Sequence, residues 1–322
     1  MRLLRWWWVC VLLAIAQPVL AQDFPARPVR IVVPYPPGGG VDGLARPLAE
    51  RLARLWGQPV VIDNRAGAAT QIGGDAVAKA APDGHTLLLT SDQSITSNPH
   101  LYPKMPFDPI KDLAPVTQLI DLHQMVIAHP SVPAASLQEL VALARSKPGS
   151  LNYGSYGSGS QPHLLFEALK AQTGVQVAHI PYKGIAPAMT ATLSGEVQLT
   201  LGAPATTRGH IQAGKLKPLA IARSERLASW PEVPTLREAG FAEIDPRPWF
   251  GVFAPAATPR GVVDRLRRDI AAVLADAEFR DKEITSRGNT AVGSTPDEFA
   301  AFIRADLDYK GKLIRVSGAK AE

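Results

Sequence analysis

The chain has one cysteine, Cys10, and it lies in an apolar run close to the N-terminus. If that run is a removed leader, the remaining protein has no thiol. A disulfide framework, a thiolate metal site and a cysteine nucleophile are then all excluded. No Gly-x-Ser-x-Gly nucleophile elbow occurs anywhere. The histidines (His85, His100, His123, His129, His163, His179 and His210) are dispersed, without the spacing of a metal motif, so no metal is expected. Ser158 or Ser160 with His163 would make a dyad lacking an orienting partner, and His163, directly after Pro162, is expected to line or cap a pocket instead. Basic residues form no broad stripe. Their one cluster, Arg265, Arg267 and Arg268, falls on an expected helix and reads as a solvated face, so no nucleic-acid partner is expected. Internal repeats and low-complexity tracts are also absent.

What is present begins with a leader. Arg2 and Arg5 form a positive start, Trp6–Ala16 is an apolar run too short to span a bilayer, and Val19-Leu20-Ala21 offers a cleavage site before Gln22. Residues 1–21 are therefore read as a cleaved signal peptide of an exported protein. Losing Arg2 and Arg5 lowers the net charge from +5 to +3, a mild excess that suits capture of small anions. The remaining chain is long enough to hold itself by its core, in two lobes.

Short β-branched runs alternate with amphipathic segments, which predicts an α/β fold with mostly parallel strands. Strands are expected at Val29–Pro34, Val60–Asn64, Thr86–Thr90, Gln124–Ala128, Leu151–Tyr153, Gln176–Pro181, Val197–Leu201, Leu216–Ala222 and Trp249–Ala254. Leu44, Leu48, Leu52 and Leu55 place one apolar stripe on a helix, which Pro47 should kink or delay. The stretch Asn98–Ala114, with four prolines, reads as irregular.

Three loops fall at strand C-terminal ends: Pro36–Asp42, Ser91–Asn98 and Gly154–His163. In open α/β sheets that is where ligands bind. Glycine and serine there leave backbone N–H groups exposed, and a following helix N-terminus favours an anion. Phosphate is the weaker candidate. The first loop lacks a Gly-Lys-Ser/Thr ending. Gly38, Gly40 and Gly43 match a dinucleotide fingerprint only in part, with Asp63 the nearest acid at the expected distance, so no nucleotide or other cofactor is expected.

Several segments in order carry a family resemblance. They are "RIVVPYPPGGGVDGLAR" (30–46), "PVVIDNRAGAA" (59–69), "AKAAPDGHTLLLT" (78–90), "NPHLY" (98–102), "LNYGSYGSGSQPHL" (151–164), "HIPYKG" (179–184), "IQAGKLKPLAIA" (211–222) and "PWFGVFAPAATP" (248–259). From about Phe24 to its C-terminus the chain resembles the periplasmic receptors of tripartite tricarboxylate transporters, the Bug-type solute-binding proteins. The resemblance implies a two-lobed α/β binding protein of type II-like form. Each lobe would be a mostly parallel sheet flanked by helices, and two crossing strands near Val116–Leu122 and Trp249–Ala254 would act as hinges. Lobe 1 would comprise 22–122 plus 249–322, and lobe 2 would comprise 123–248.

The resemblance further implies a small carboxylate ligand, membrane permease subunits as partners, a periplasmic location, a monomer and no turnover. Its site residues map to Tyr35, Gly38, Gly39, Gly40 and Asp42 in the first loop, and to Ser91 and Asp92 in the second. Ser155, Ser158, Gly159, Ser160 and His163 follow in the third, with Tyr182 and Lys183 on the other wall, Lys183 either meeting the ligand or pairing between lobes or at the surface. Two departures stand out. "LTLGAPATT" (199–207) lacks an aromatic-acid pair found in many relatives, and Asp92 stands where small neutral residues are common. Asp92 or Asp42 is expected to read an amine or hydroxyl on the ligand, with a turn role for Asp92 as the alternative. A sensing receptor that shows its closed form to a signalling partner, or a cleft enzyme acting on a carboxylate, are the competing readings, since fold alone does not separate them.

Overall fold

The structure, a computed structural model, describes residues 24–223, 225–227 and 229–321. The expected signal peptide, residues 1–21, lies outside the described residues. The described strands are β1 (Val29–Val33), β2 (Val60–Asn64), β3 (Thr86–Ser91), β4 (Leu113–Asp121), β5 (Met125–Ala128), β6 (Asn152–Ser155), β7 (Ala178–Pro181), β8 (Leu199–Gly202), β9 (Lys217–Ile221), β10 (Trp249–Pro255) and β11 (Thr290–Ala291). They form a six-stranded sheet in the order β11-β4-β10-β3-β1-β2 and a five-stranded sheet in the order β7-β6-β8-β5-β9. Helices flank both, giving a two-lobed α/β fold.

The sheets are mixed, not mostly parallel as expected. In the first, β1 runs parallel to β2 and β3, but β10 is antiparallel to both β3 and β4, and β11 is antiparallel to β4. In the second, β6 is parallel to β7 and β8, whereas β5 is antiparallel to β8 and β9. The chain's path explains this. Strand-helix-strand units build the parallel half of each sheet. The strands next to an interlobe crossing arrive from the other lobe and enter in the opposite sense.

The crossings fall just beyond the segments expected to make them. Val116–Leu122 and Trp249–Ala254 belong almost wholly to β4 and β10, which pair within the first sheet. The chain passes between lobes at 122–124 and again shortly before Trp249. There the Leu122 N–H donates to the Pro248 carbonyl at 2.9 Å, and the Ala222 N–H donates to that of Gln124 at 2.8 Å. Backbone bonds thus bind the two links to their neighbours.

Apolar burial holds each lobe. Ile31, Val33, Leu44, Leu48, Leu52, Leu87 and Leu89 pack between the first sheet and the helix Gly40–Trp56. Full burial of each such side chain contributes about 1.5–3 kcal/mol. Pro47 lies inside that helix and does not delay its start, which is at Gly40. The stretch read as irregular contains a helical turn, Asn98–Leu101, and the start of β4.

The last helix, Pro296–Ser317, begins with a capping box between Thr295 and Glu298. Its early residues Phe299 and Ile303 pack against the first sheet with Trp249 and Phe253, while Leu313 and Ile314 join the core of the second lobe. One rigid element therefore touches both bodies.

Candidate functional site

The first loop is built by Asp42. Gly38 takes φ +82°, a left-handed conformation that glycine adopts without a Cβ penalty, and this turns its N–H back onto the helix start. Asp42 Oδ2 accepts that N–H at 2.8 Å and Arg46 Nε at 2.8 Å, while Oδ1 accepts Arg46 Nη2 and Asn64 Nδ2, both at 2.9 Å. The carboxylate is buried, which pushes its pKa up, but the bonds from Arg46, Gly38 and Asn64 outweigh burial and hold it below the usual range. Asp42 is thus the fastener of the loop, with both oxygens engaged. Gly38 has its N–H spent in the same way. Gly39, the residue before the helix, and Gly40, its first residue, carry the turn into the helix N-terminus.

Tyr35 ends β1's extension, and its hydroxyl meets Ser91 Oγ at 2.7 Å, which joins the first loop to the second. After Ser91 the chain enters a five-residue π-helical turn, Gln93–Ser97. Asp92 is buried at its head. Its Oδ2 accepts Lys310 Nζ at 2.8 Å and also Gln161 Nε2, which comes from the second lobe. Lys310 is fully buried, and it donates also to the Pro246 carbonyl at 2.8 Å. Asp306, one turn earlier on the same helix, accepts Thr96 Oγ1 at 2.7 Å and Trp249 Nε1 at 2.9 Å through Oδ2. Burial pushes Asp92 up to about 6, and the neighbouring Asp306 adds to it, against the pull of Lys310.

In the third loop, Ser155 Oγ lies 2.6 Å from His179 Nε2, and the His179 ring stacks between Tyr153 and His163. Gly159 takes φ +79° and donates its N–H to His163 Nδ1 at 3.0 Å. A Cβ at Gly159 would lie 2.5 Å from Leu101 Cδ1 and 3.5 Å from Asn98 Oδ1. The loops of the two lobes are therefore in contact. Gln93 Nε2 reaches the Ser158 carbonyl across the same seam at 2.9 Å. Ser160 precedes the helix Gln161–Thr173 without capping it, and its Oγ is buried with no hydrogen-bond partner.

The structure thus sets Ser91 and Asp92 beside the loop that holds Ser155, Ser158, Gly159, Ser160 and His163, and joins them through Tyr35 to the loop of Gly38, Gly39, Gly40 and Asp42. The side chains of Tyr182 and Lys183 are not brought in, although the Tyr182 N–H donates to the Ser155 carbonyl at 2.9 Å. Tyr182 packs its ring beside Gly154 and gives its hydroxyl to Glu196 at 2.8 Å, and Lys183 is exposed at the end of the edge strand β7. Position in the motif did not reveal that an edge strand faces outward.

Gln161 and Asn98, within the expected loops but not among the expected ligand residues, enter the seam, as do Lys310 and Asp306, which were not expected there. A signal for the last two was available. Phe299, Ile303, Asp306, Lys310 and Leu313 recur at helical spacing, so an acid and a lysine occupy an otherwise apolar stripe. A charge on such a stripe requires a buried partner. Among the described residues, no group of three or more His, Cys, Asp or Glu is placed to hold a metal ion. A cavity of about 280 Å³ lies away from these loops, beside Pro115, Thr258 and Pro296.

Comparison with known proteins adds to this geometry. Residues 44–319 match the family model described as tripartite tricarboxylate transporter family receptor. Protein BugT of Bordetella pertussis is 38% identical over 307 residues, covering 95% of this chain and 94% of that one. An R. palustris protein solved with adipate superposes with a TM-score of 0.86 at 33% identity, covering 93% of this chain and all of the other. MatC of Rhodopseudomonas palustris, with bound malate, gives a TM-score of 0.83 at 30% identity over 90% of this chain and all of that one.

Proposed function

The chain belongs to the tripartite tricarboxylate transporter receptor family, and from that premise we propose that it is a periplasmic receptor that captures a small carboxylate between its lobes. It delivers the ligand to membrane permease subunits unchanged, and works as a monomer. The observation that carries this reading is the contact of Ser91–Asn98, joined to the first loop through Tyr35 and Ser91, with Gly154–His163 across the seam, the first and third loops each leading into a helix N-terminus. Backbone donors at Gly39 and Gly40 and the unpartnered hydroxyl of Ser160 are suited to a carboxylate, and the helix ends favour its charge. Capture between lobes removes the anion from water, which strengthens each of those bonds. The carboxylates bound by the R. palustris relatives support the same ligand class.

Ser155 is hydrogen-bonded to His179, whose ring is stacked between Tyr153 and His163. A thermal-shift screen of mono- and dicarboxylates, amino acids and aromatic acids tests the proposal, with mass spectrometry of the ligand after incubation. Expected are shifts for a subset of carboxylates and full recovery of the ligand. An absence of shifts across the panel defeats the receptor reading, and turnover of a ligand revives the enzyme.

A further inference from the structure

Two side-chain amides at the seam are fixed in orientation by what their nitrogens do. Gln161 gives its Nε2 to Asp92, and Asn98 gives its Nδ2 to the Ala69 carbonyl at 2.7 Å. Their oxygens must therefore be Gln161 Oε1 and Asn98 Oδ1, and both are buried without any donor. The two residues are only 2% and 0% exposed, so bulk water does not satisfy these oxygens. An unpaired buried acceptor costs about 1–3 kcal/mol. They belong to opposite sides of the seam. Asn98 Oδ1 faces Gly159 of the third loop, and Gln161 comes from the second lobe to Asp92 of the first.

The charges point the same way. Asp92 and Asp306 are two buried carboxylates against the single ammonium of Lys310, which is already bonded to Asp92 and to the Pro246 carbonyl. The three loops, Pro36–Asp42, Ser91–Asn98 and Gly154–His163, contain no Lys or Arg. Arg46, just past the first, is held on Asp42 by two bonds. The seam is therefore rich in acceptors, negative in balance and without a spare cation. A second carboxylate on a ligand would find no compensating charge there.

We propose that the ligand is a short carboxylate whose far end carries a hydrogen-bond donor, a hydroxyl or an ammonium, and not a second carboxylate, with Asp92, Gln161 and Asn98 as the residues that select it. This rests on the receptor reading above: the helix N-termini take the first carboxylate, and the acceptors of the seam take the donor. It departs from a plain dicarboxylate such as adipate.

Isothermal titration of the full mature chain decides it, using chain-matched sets of hydroxy, amino, unsubstituted and second-carboxylate acids. The expected result is that a hydroxy or amino member binds at least about tenfold more tightly than its unsubstituted and dicarboxylate counterparts. In Asp92→Asn and in Gln161→Leu that preference should shrink severalfold, while both variants still melt cooperatively. Equal or tighter binding of the dicarboxylate overturns the inference, as does equal binding of the unsubstituted acid, which would mean that ordered water fills the seam. A preference left unchanged in both variants overturns the role of Asp92 and Gln161. If no carboxylate of any set binds, the receptor reading itself fails, which is a different result from the loss of this selectivity.

Discussion

Asp42 and Asp92 are both buried aspartates beside cationic side chains, yet their surroundings move them in opposite directions. Asp42 is held below the usual carboxylate range, so the stability it contributes is present above its unfolded pKa and is lost as pH falls through the folded value. Asp92 is pushed up to about 6, so the folded state binds its proton more readily than the unfolded one. Its contribution therefore declines as pH rises from about 4 to about 6 and is level beyond that. Urea denaturation across this window should show Asp92→Asn gaining stability relative to the parent as pH rises, with the gap flat above pH 6–7. A gap of constant size would refute the shift. Asp42→Ala is expected to cost about 1–3 kcal/mol by leaving the Gly38 N–H and Asn64 amide without their acceptor. Neither behaviour was legible in the sequence. Both aspartates were recognised as belonging to the site, but which donors would saturate them depended on Asn64, Gln161 and Lys310, which the fold brings from distant segments.

At the scale of elements, strands were easier to read than their directions. Periodicity placed β2 at its observed bounds and most other expected strands within a residue or two, because burial on one or both faces writes itself into each strand. Direction depends on where the chain arrives from, and periodicity carries no trace of that. The helix Gly40–Trp56 formed through Pro47 because packing of Leu44, Leu48 and Leu52 outweighs a missing bond. Pro47 has no N–H for the Gly43 carbonyl one turn back, so Pro47→Ala should raise stability by about 1 kcal/mol or more, read from the denaturation midpoint at unchanged m-value.

The last helix carries the opposite case. Lys310→Met leaves two buried carboxylates without their ammonium, an expected loss of about 3–5 kcal/mol. Adding Asp92→Asn should recover part of it. A double-mutant cycle that closes additively would show that the pair is not coupled.

For the whole molecule, closure is the relevant coordinate. Contacts across the seam, Gln93 to Ser158 and Asp92 to Gln161, join the lobes. Gly159→Ala would push a methyl into Leu101 at a left-handed φ, so it should cost about 1–3 kcal/mol and weaken ligand capture. Calorimetry and titration on the same sample would separate the two effects. A ligand at a hundredfold excess over its Kd should add about 2.7 kcal/mol to the stability of the parent.

The position of β10 between β3 and β4 also governs time. The first sheet has no continuous hydrogen-bonded order until a strand from residues 249–255 slots into its middle. A chain emerging from its N-terminus first must hold β1 to β4 in an unfinished state while the whole second lobe is made. That second lobe takes its strands from one continuous stretch, 125–221, and can assemble meanwhile. Non-local pairing of this kind is slow and leaves strand edges exposed to other chains. A fragment ending before Trp249 should therefore protect amides of β5 to β9 from exchange but leave open those of β4 and the β3 amides that bond to β10, and the nascent receptor needs shielding from its neighbours until its final quarter arrives.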